Sequence, residues 1–124
     1  MLRSVYRQKI PTTRMTVSLE SKSCTPCQGG ILPLTPDEAG QFQAKTPDWA
    51  LVDNATKLEK KFAFTDFREA LEFVRRIGEL AELEGHHPVI TFGWGFCTIQ
   101  TQTKKIKGLH ENDFILAAKI DAID

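Results

Sequence analysis

An excess of charge of either sign is missing from this sequence: across 124 residues, 16 Lys plus Arg face 16 Asp plus Glu, for a formal net charge of +0. A protein that grips nucleic acid by its phosphates carries a clear basic excess, so no nucleic-acid partner is expected. Long apolar runs are missing as well. None approaches the roughly 18 residues that cross a bilayer, so no membrane segment is expected. Cysteine is scarce. The three present are Cys24, Cys27 and Cys97. An odd count with two in one short segment argues against a disulfide framework and fits a reducing compartment such as the cytoplasm. Internal repeats and low-complexity stretches are absent. What remains is ordinary globular composition, 41% hydrophobic and 26% charged. The length suits one domain that buries roughly two-thirds of its unfolded surface, with no need of a metal or disulfide to hold its core.

The start of the chain differs from the rest. Arg3, Arg7, Lys9 and Arg14 come with several Ser and Thr, and no acid precedes Glu20. That is the composition of an organellar transit peptide, and equally of a plain disordered tail or of a start assigned upstream of Met15. Residues 1–20 therefore read as a tail that is disordered or targeting. Residues 21–34, rich in Ser, Cys, Pro and Gly, read as an arm leading into a domain over residues 21–124.

Hydrophobic periodicity predicts the elements of that domain. Thr35, Pro36 and Glu38 make a capping box with proline at the first helical position, opening a helix to about Lys45, before Pro47. Trp49 to Val52 suggests a short strand and Asp53–Asn54 a turn. Leu58, Phe62 and Phe64 then alternate with Lys57, Glu59 and Lys61 as in a half-buried strand, although Lys60 interrupts the apolar face. Asp66 and Glu69 open the longest helix, where Phe67, Ala70, Leu71, Val74, Ile77 and Ala81 follow helical spacing and Gly85 is a natural stop. Val89 to Trp94 and Phe96 to Thr103 read as strands joined tightly around Gly95. Lys104 to Gly108 reads as a loop, and Glu111 to Ala122 as a last helix with Leu116, Ala117, Ile120 and Ile123 on one face. Such helices must bury their stripes on one face of an antiparallel sheet. The expected fold is a two-layer α+β sandwich, with four antiparallel strands and three helices on one face. The uncovered face invites a partner copy, so a homodimer or homotetramer is expected.

The chemistry concentrates at His86 and His87, adjacent, just after the long helix and before Pro88. Neighbours in an extended segment point to opposite sides, so one ring can reach into a pocket while the other braces it. Imidazole titrates near neutrality, which suits proton transfer, and a pair of loop histidines with structural hydrogen bonds is the plain alternative.

The run EGHHPVITFGWGFCTIQTQTKKIKGLHENDFILAAKID resembles the core of the pterin-4a-carbinolamine dehydratase family. In that family's pattern an acid stands four residues before His-His-Pro, and an aromatic, a third histidine and an Asp follow. Glu82, His86, His87, Pro88, Trp94 and Asp113 match, and Gly108, Leu109 and Asp113 supply its GLxxxD stretch. PLTPDE at Pro33 to Glu38, PDW at Pro47 to Trp49 and the segment from Phe64 to Val74 resemble bacterial members, as does the pair Cys24 and Cys27. The resemblance covers roughly residues 21–124. It implies a hydro-lyase that dehydrates a 4a-hydroxy-tetrahydropterin to a quinonoid dihydropterin in tetrahydrobiopterin recycling, with no metal or organic cofactor. His86 and His87 would be its acid–base and orienting groups. Glu82, Pro88, Trp94 and Asp113 would support the substrate.

One position departs from the pattern: Lys104 stands where the third histidine belongs, and His110 falls at a helix start instead. Lysine as a residue type titrates near 10.4, too high for a good acid at neutrality. Lys104 is thus an altered third catalytic residue. It also opens a rival reading, that the chain is a protein-binding module. Some relatives look like Rubisco assembly factors, and another serves as a dimerisation cofactor for a homeodomain transcription factor. Weaker signals remain. Cys24-x-x-Cys27 could hold zinc with the histidines or simply pack the arm. Cys97 reads as a buried small residue and Trp49 as core. Trp94 reads as either a pterin-stacking ring or core. Lys104 to Lys107 reads as either an anion-attracting stretch or a solvated loop.

Overall fold

A computed structural model of the chain describes residues 18–25 and 30–123. The tail over residues 1–17 and Cys27 thus lie outside the described residues. The order of elements is α1 (Pro36–Gln43), β1 (Ala50–Val52), β2 (Lys57–Ala63), α2 (Phe67–Glu84), β3 (Val89–Gly93), β4 (Phe96–Thr101) and α3 (Glu111–Asp121). The strands form one antiparallel sheet in the order β1-β2-β4-β3. The expected α+β sandwich is what forms. Helices α1 and α2 start where their capping chemistry predicts. At α1, Thr35 Oγ1 accepts from the Glu38 N–H at 3.2 Å, and Glu38 Oε1 accepts from the Thr35 N–H at 2.9 Å. At α2, Asp66 accepts from the Glu69 N–H at 2.9 Å.

Register decides the faces. Leu58 pairs with Thr101, Phe62 with Cys97, Ile90 with Ile99 and Phe92 with Cys97, and directly opposite residues share a face. These side chains form the inner layer, and helices α2 and α3 close it with Phe73, Ile77, Phe114, Leu116 and Ile120. Lys57, Glu59, Lys61, Thr98 and Gln100 fall on the other face by the same register. Trp49 and Cys97 are core, as their sequence context suggests.

Several local expectations need correction. The stripe of α2 runs through Ala70, Phe73, Ile77 and Ala81, whereas Phe67 and Leu71 are 45% and 47% exposed. The reason is Phe73, whose ring sits 4.8 Å from that of Phe62 and 5.1 Å from that of Phe64 and so sets the rotation of the helix. Lys60 does face inward, yet it does not spoil the layer. Its ammonium lies 4.6 Å from the centroid of the Phe62 ring and donates to Asp121 Oδ1 at 2.7 Å. Strand β4 ends at Thr101 rather than Thr103, and the expected loop winds into a 3-10 turn over Lys104–Ile106. Helix α3 is buried on more than one stripe, from Asn112 through Ala117. Its outer side is covered by the arm. Leu19 packs into the core, Lys22 pairs with Glu111 at 2.6 Å, and Thr25 exchanges two hydrogen bonds with the Asn112 amide. Packing of the arm thus begins within the stretch read as tail.

These burials separate two apolar positions of the same helix. Ile77→Ala should cost about 2–5 kcal/mol by urea unfolding, from the fully buried cavity it leaves. Leu71→Ala should cost less than about 1 kcal/mol, since half of that side chain is already in water.

Candidate active site

Helix α2 ends on Gly85, whose φ of +66° is a left-handed conformation glycine adopts without penalty. The His86 N–H then reaches back to the Ala81 carbonyl at 3.2 Å, the wide hydrogen bond of a glycine-terminated helix. This turn fixes where the histidine pair leaves the helix. The pair leads from this turn into β3, with one ring buried and the other exposed.

His86 points inward and is 7% exposed. Its Nε2 lies 2.7 Å from Oδ1 of Asp113, a residue with 0% exposure. The Asp113 carboxylate also accepts from Thr101 Oγ1 at 2.6 Å, Thr103 Oγ1 at 2.7 Å and the His110 N–H at 3.1 Å. An ionised carboxylate only accepts, so this contact keeps a proton on Nε2 of His86 and fixes the ring. His87 points outward. Its Nε2 lies 2.6 Å from Oε2 of Glu82, one turn back on α2, and the two side chains are 60% and 78% exposed. Two carboxylate–imidazole pairs therefore stand side by side, one sealed and one facing water.

Most of the residues singled out in the sequence converge here. Glu82, His86, His87, Pro88 and Asp113 are brought together, and Lys104 follows Thr103 directly, exposed at the head of its turn. Trp94 is not brought to the histidines. It is 71% exposed in the β3–β4 turn, at the opposite end of β3, which also rules out a core role. His110 caps α3, its Nδ1 accepting from the Asn112 N–H at 3.1 Å. Thr101 and Thr103 were not anticipated. Their signal is two hydroxyls at alternate positions that continue the buried Cys97–Ile99 face of β4, where a polar group must find a partner.

Cys24 belongs to the arm. Its N–H donates to Glu84 Oε1 at 2.8 Å, and its thiol lies 3.5 Å from the Asn112 carbonyl. Burial, then the neighbouring Glu84 carboxylate, pushes that thiol up to about 12. Burial alone pushes Cys97 up to about 11. Burial also acts to raise the Glu84 carboxyl, but the Cys24 N–H and the Lys119 ammonium at 3.2 Å outweigh it and hold the carboxyl below its ordinary value. These contacts with the end of α2 and the start of α3 favour the packing role for Cys24.

Fold and site together define a small α+β protein in which a sealed and a water-facing carboxylate–imidazole pair stand side by side. The chain belongs to the pterin 4 alpha carbinolamine dehydratase family, whose model matches residues 32–123. It is 58% identical over 106 residues to a protein of Methylococcus capsulatus named "Putative pterin-4-alpha-carbinolamine dehydratase", covering 86% of this chain and 93% of that one. A Cupriavidus pinatubonensis protein of the same description is 56% identical over 105 residues, covering 85% and 90%. Among solved structures, a transcriptional coactivator/pterin dehydratase from Brucella melitensis superposes with a TM-score of 0.68 at 27% identity, over 73% of this chain and 96% of that one. A pterin dehydratase-like protein described as a RuBisCO assembly factor in the alpha-carboxysome superposes with a TM-score of 0.53 at 28% identity, over 60% and 87%. No helix among the described residues is long and apolar enough to cross a membrane.

Two outcomes follow from these contacts. Asp113→Ala should destabilise the fold by about 3–5 kcal/mol in chemical denaturation, because it strands His86 and two buried hydroxyls. The Cys24 thiol is raised in the folded chain, so its contribution to stability is full below about pH 9 and is lost as pH climbs toward 12. Unfolding followed from about pH 8 to about pH 11 should therefore show the native chain losing stability more steeply than Cys24→Ala.

Proposed function

We propose that the chain dehydrates 4a-hydroxy-tetrahydropterins to quinonoid dihydropterins, the hydro-lyase step of tetrahydrobiopterin recycling, with His87 as the proton-transferring group. The observation that carries this reading is the exposed His87 imidazole, held by Glu82 at 2.6 Å beside the sealed His86–Asp113 pair. The reaction is redox-neutral. The N5–H bond breaks, its electron pair forms the C4a=N5 double bond, and the C4a hydroxyl leaves as water after taking a proton. A base at N5 and an acid at the hydroxyl are all that is required, and each such group typically contributes about 10²–10⁴ in rate.

The roles follow from exposure. Glu82 holds His87 by Nε2 and leaves its Nδ1 free to face the pterin ring. His86, clamped by Asp113, is the rigid neighbour that fixes the direction of the segment, and Pro88 stiffens the exit into β3. Lys104 is the third group, an ammonium that can hydrogen-bond the departing hydroxyl and transfers a proton less readily than an imidazole. Trp94 reaches no substrate bound at the histidines of its own chain, so any stacking role requires a partner copy. We place the protein in the cytoplasm as a homo-oligomer. Its bacterial relatives support that location over organellar import, and the uncovered sheet face supports the oligomer.

A second reading has its own support in Lys104 and in the assembly-factor and coactivator descriptions of the two solved structures. On that reading the fold serves as a protein-binding module. Stopped-flow absorbance on chemically prepared 4a-hydroxy-tetrahydropterin separates the two. The native chain should accelerate dehydration, His87→Ala should lose about 10²–10⁴ of that rate, and Lys104→His should gain. A native chain no faster than buffer, with activity appearing only in Lys104→His, would mean the module reading is correct.

A further inference from the structure

Nine lysines lie among the described residues, and six of them have an acidic or aromatic partner. Lys22 pairs with Glu111, Lys57 with Asp53, Lys60 with Asp121 and Lys119 with Glu84. Lys45 and Lys61 lie over the rings of Phe42 and Phe96. The other three, Lys104, Lys105 and Lys107, have no acidic or aromatic partner among the described residues, and all three are exposed on one turn. The undescribed stretches 1–17 and 26–29 contain no Asp or Glu, which leaves Asp124 as the sole acid outside the description. Among the described residues, the lysines with neither an acidic nor an aromatic partner are thus gathered at one place.

That place adjoins the histidines. Thr103, the residue before Lys104, donates to Asp113 at 2.7 Å, and Asp113 holds His86 at 2.7 Å. The turn is also built to hold its shape. The Thr103 N–H reaches the Gly108 carbonyl at 2.9 Å, and the Lys107 N–H reaches the Lys104 carbonyl at 3.1 Å. Gly108 lies so close to Pro33 that a Cβ there would stand 2.5 Å from that ring, so the base of the turn is wedged against the segment before α1. A solvated loop needs no such anchoring.

We propose that this turn is an anion-recognition element of the pterin site, selecting substrates whose side chain carries a phosphate or carboxylate. The inference rests on the pterin-binding reading above and adds a substrate class to it. The pterin ring lies at His87, and the anionic end of its side chain lies among Lys104, Lys105 and Lys107. Exposed ion pairs are weak one at a time, and three acting on one anion give a preference on the order of 10-fold. Because the groups are exposed, salt must erode that preference: the screening length falls from about 10 Å at 0.1 M to about 3 Å at 1 M.

The test is equilibrium binding followed by quenching of pterin fluorescence. It uses two oxidised pterins, one with a neutral hydroxyalkyl side chain and one with the same side chain as a phosphate monoester. The native chain is compared with the double variant Lys105→Gln, Lys107→Asn. Lys104 is left in place because it belongs to the proposed catalytic set, and asparagine suits the left-handed φ of +53° at position 107. The phosphate-bearing pterin should bind the native chain roughly 10-fold tighter at low salt, and the preference should shrink to about 2-fold in the double variant and near 1 M salt. Affinity for the neutral pterin should not change. Equal affinity for the two pterins in the native chain, or an undiminished preference in the double variant, overturns the inference and leaves the dehydratase reading standing. Binding of neither pterin overturns both.

Discussion

The carboxylate of Asp113 takes donors from three separate parts of the chain while having no access to water. Thr101 and Thr103 bring the end of β4 to it, His86 brings the segment after α2, and the His110 N–H is the start of α3 itself. A buried charge is costly unless each lone pair is met, and hydrogen bonds to a charged group are worth about 1.5–3 kcal/mol each. The carboxylate is therefore a junction at which helix, strand and connection must all be in register. The candidate site is assembled on that junction, since His86 is one of its four donors and His87 is the next residue.

Two adjacent histidines acquire different chemistry from this arrangement. One is removed from solvent and held with its proton on Nε2. The other points outward and keeps solvent access and a single carboxylate partner. Proton transfer needs a group that is both oriented and reachable. In the proposed dehydration the sealed pair supplies the orientation and the open pair the reach.

The arm shows how much of a small domain's stability can lie outside its regular elements. Leu19, Lys22, Cys24 and Thr25 close over the start of α3 and the end of α2. They back the side of α3 turned away from the sheet, next to the residue that holds His86. The basic turn after β4 is backed in the same way by Pro33.

Much of this was readable from residue order. Element order, helix caps, the glycine that ends α2 and the composition of the site follow from short-range rules: hydrophobic period, capping chemistry and a run of residues resembling a known family. The rotation of α2 was not readable, because apolar Leu71 and Phe73 both fit a helical stripe and only the facing Phe62 and Phe64 rings choose between them. Nor were Thr101 and Thr103, whose hydroxyls have meaning only once Asp113 arrives from ten or more residues away. The sequence by itself determined which groups are available to the chemistry. The tertiary structure alone decided which histidine is sealed and which is open, and that Trp94 stands far from both. The physical reason is that exposure and hydrogen-bond partnership are properties of contacts between distant segments, which local pattern does not encode.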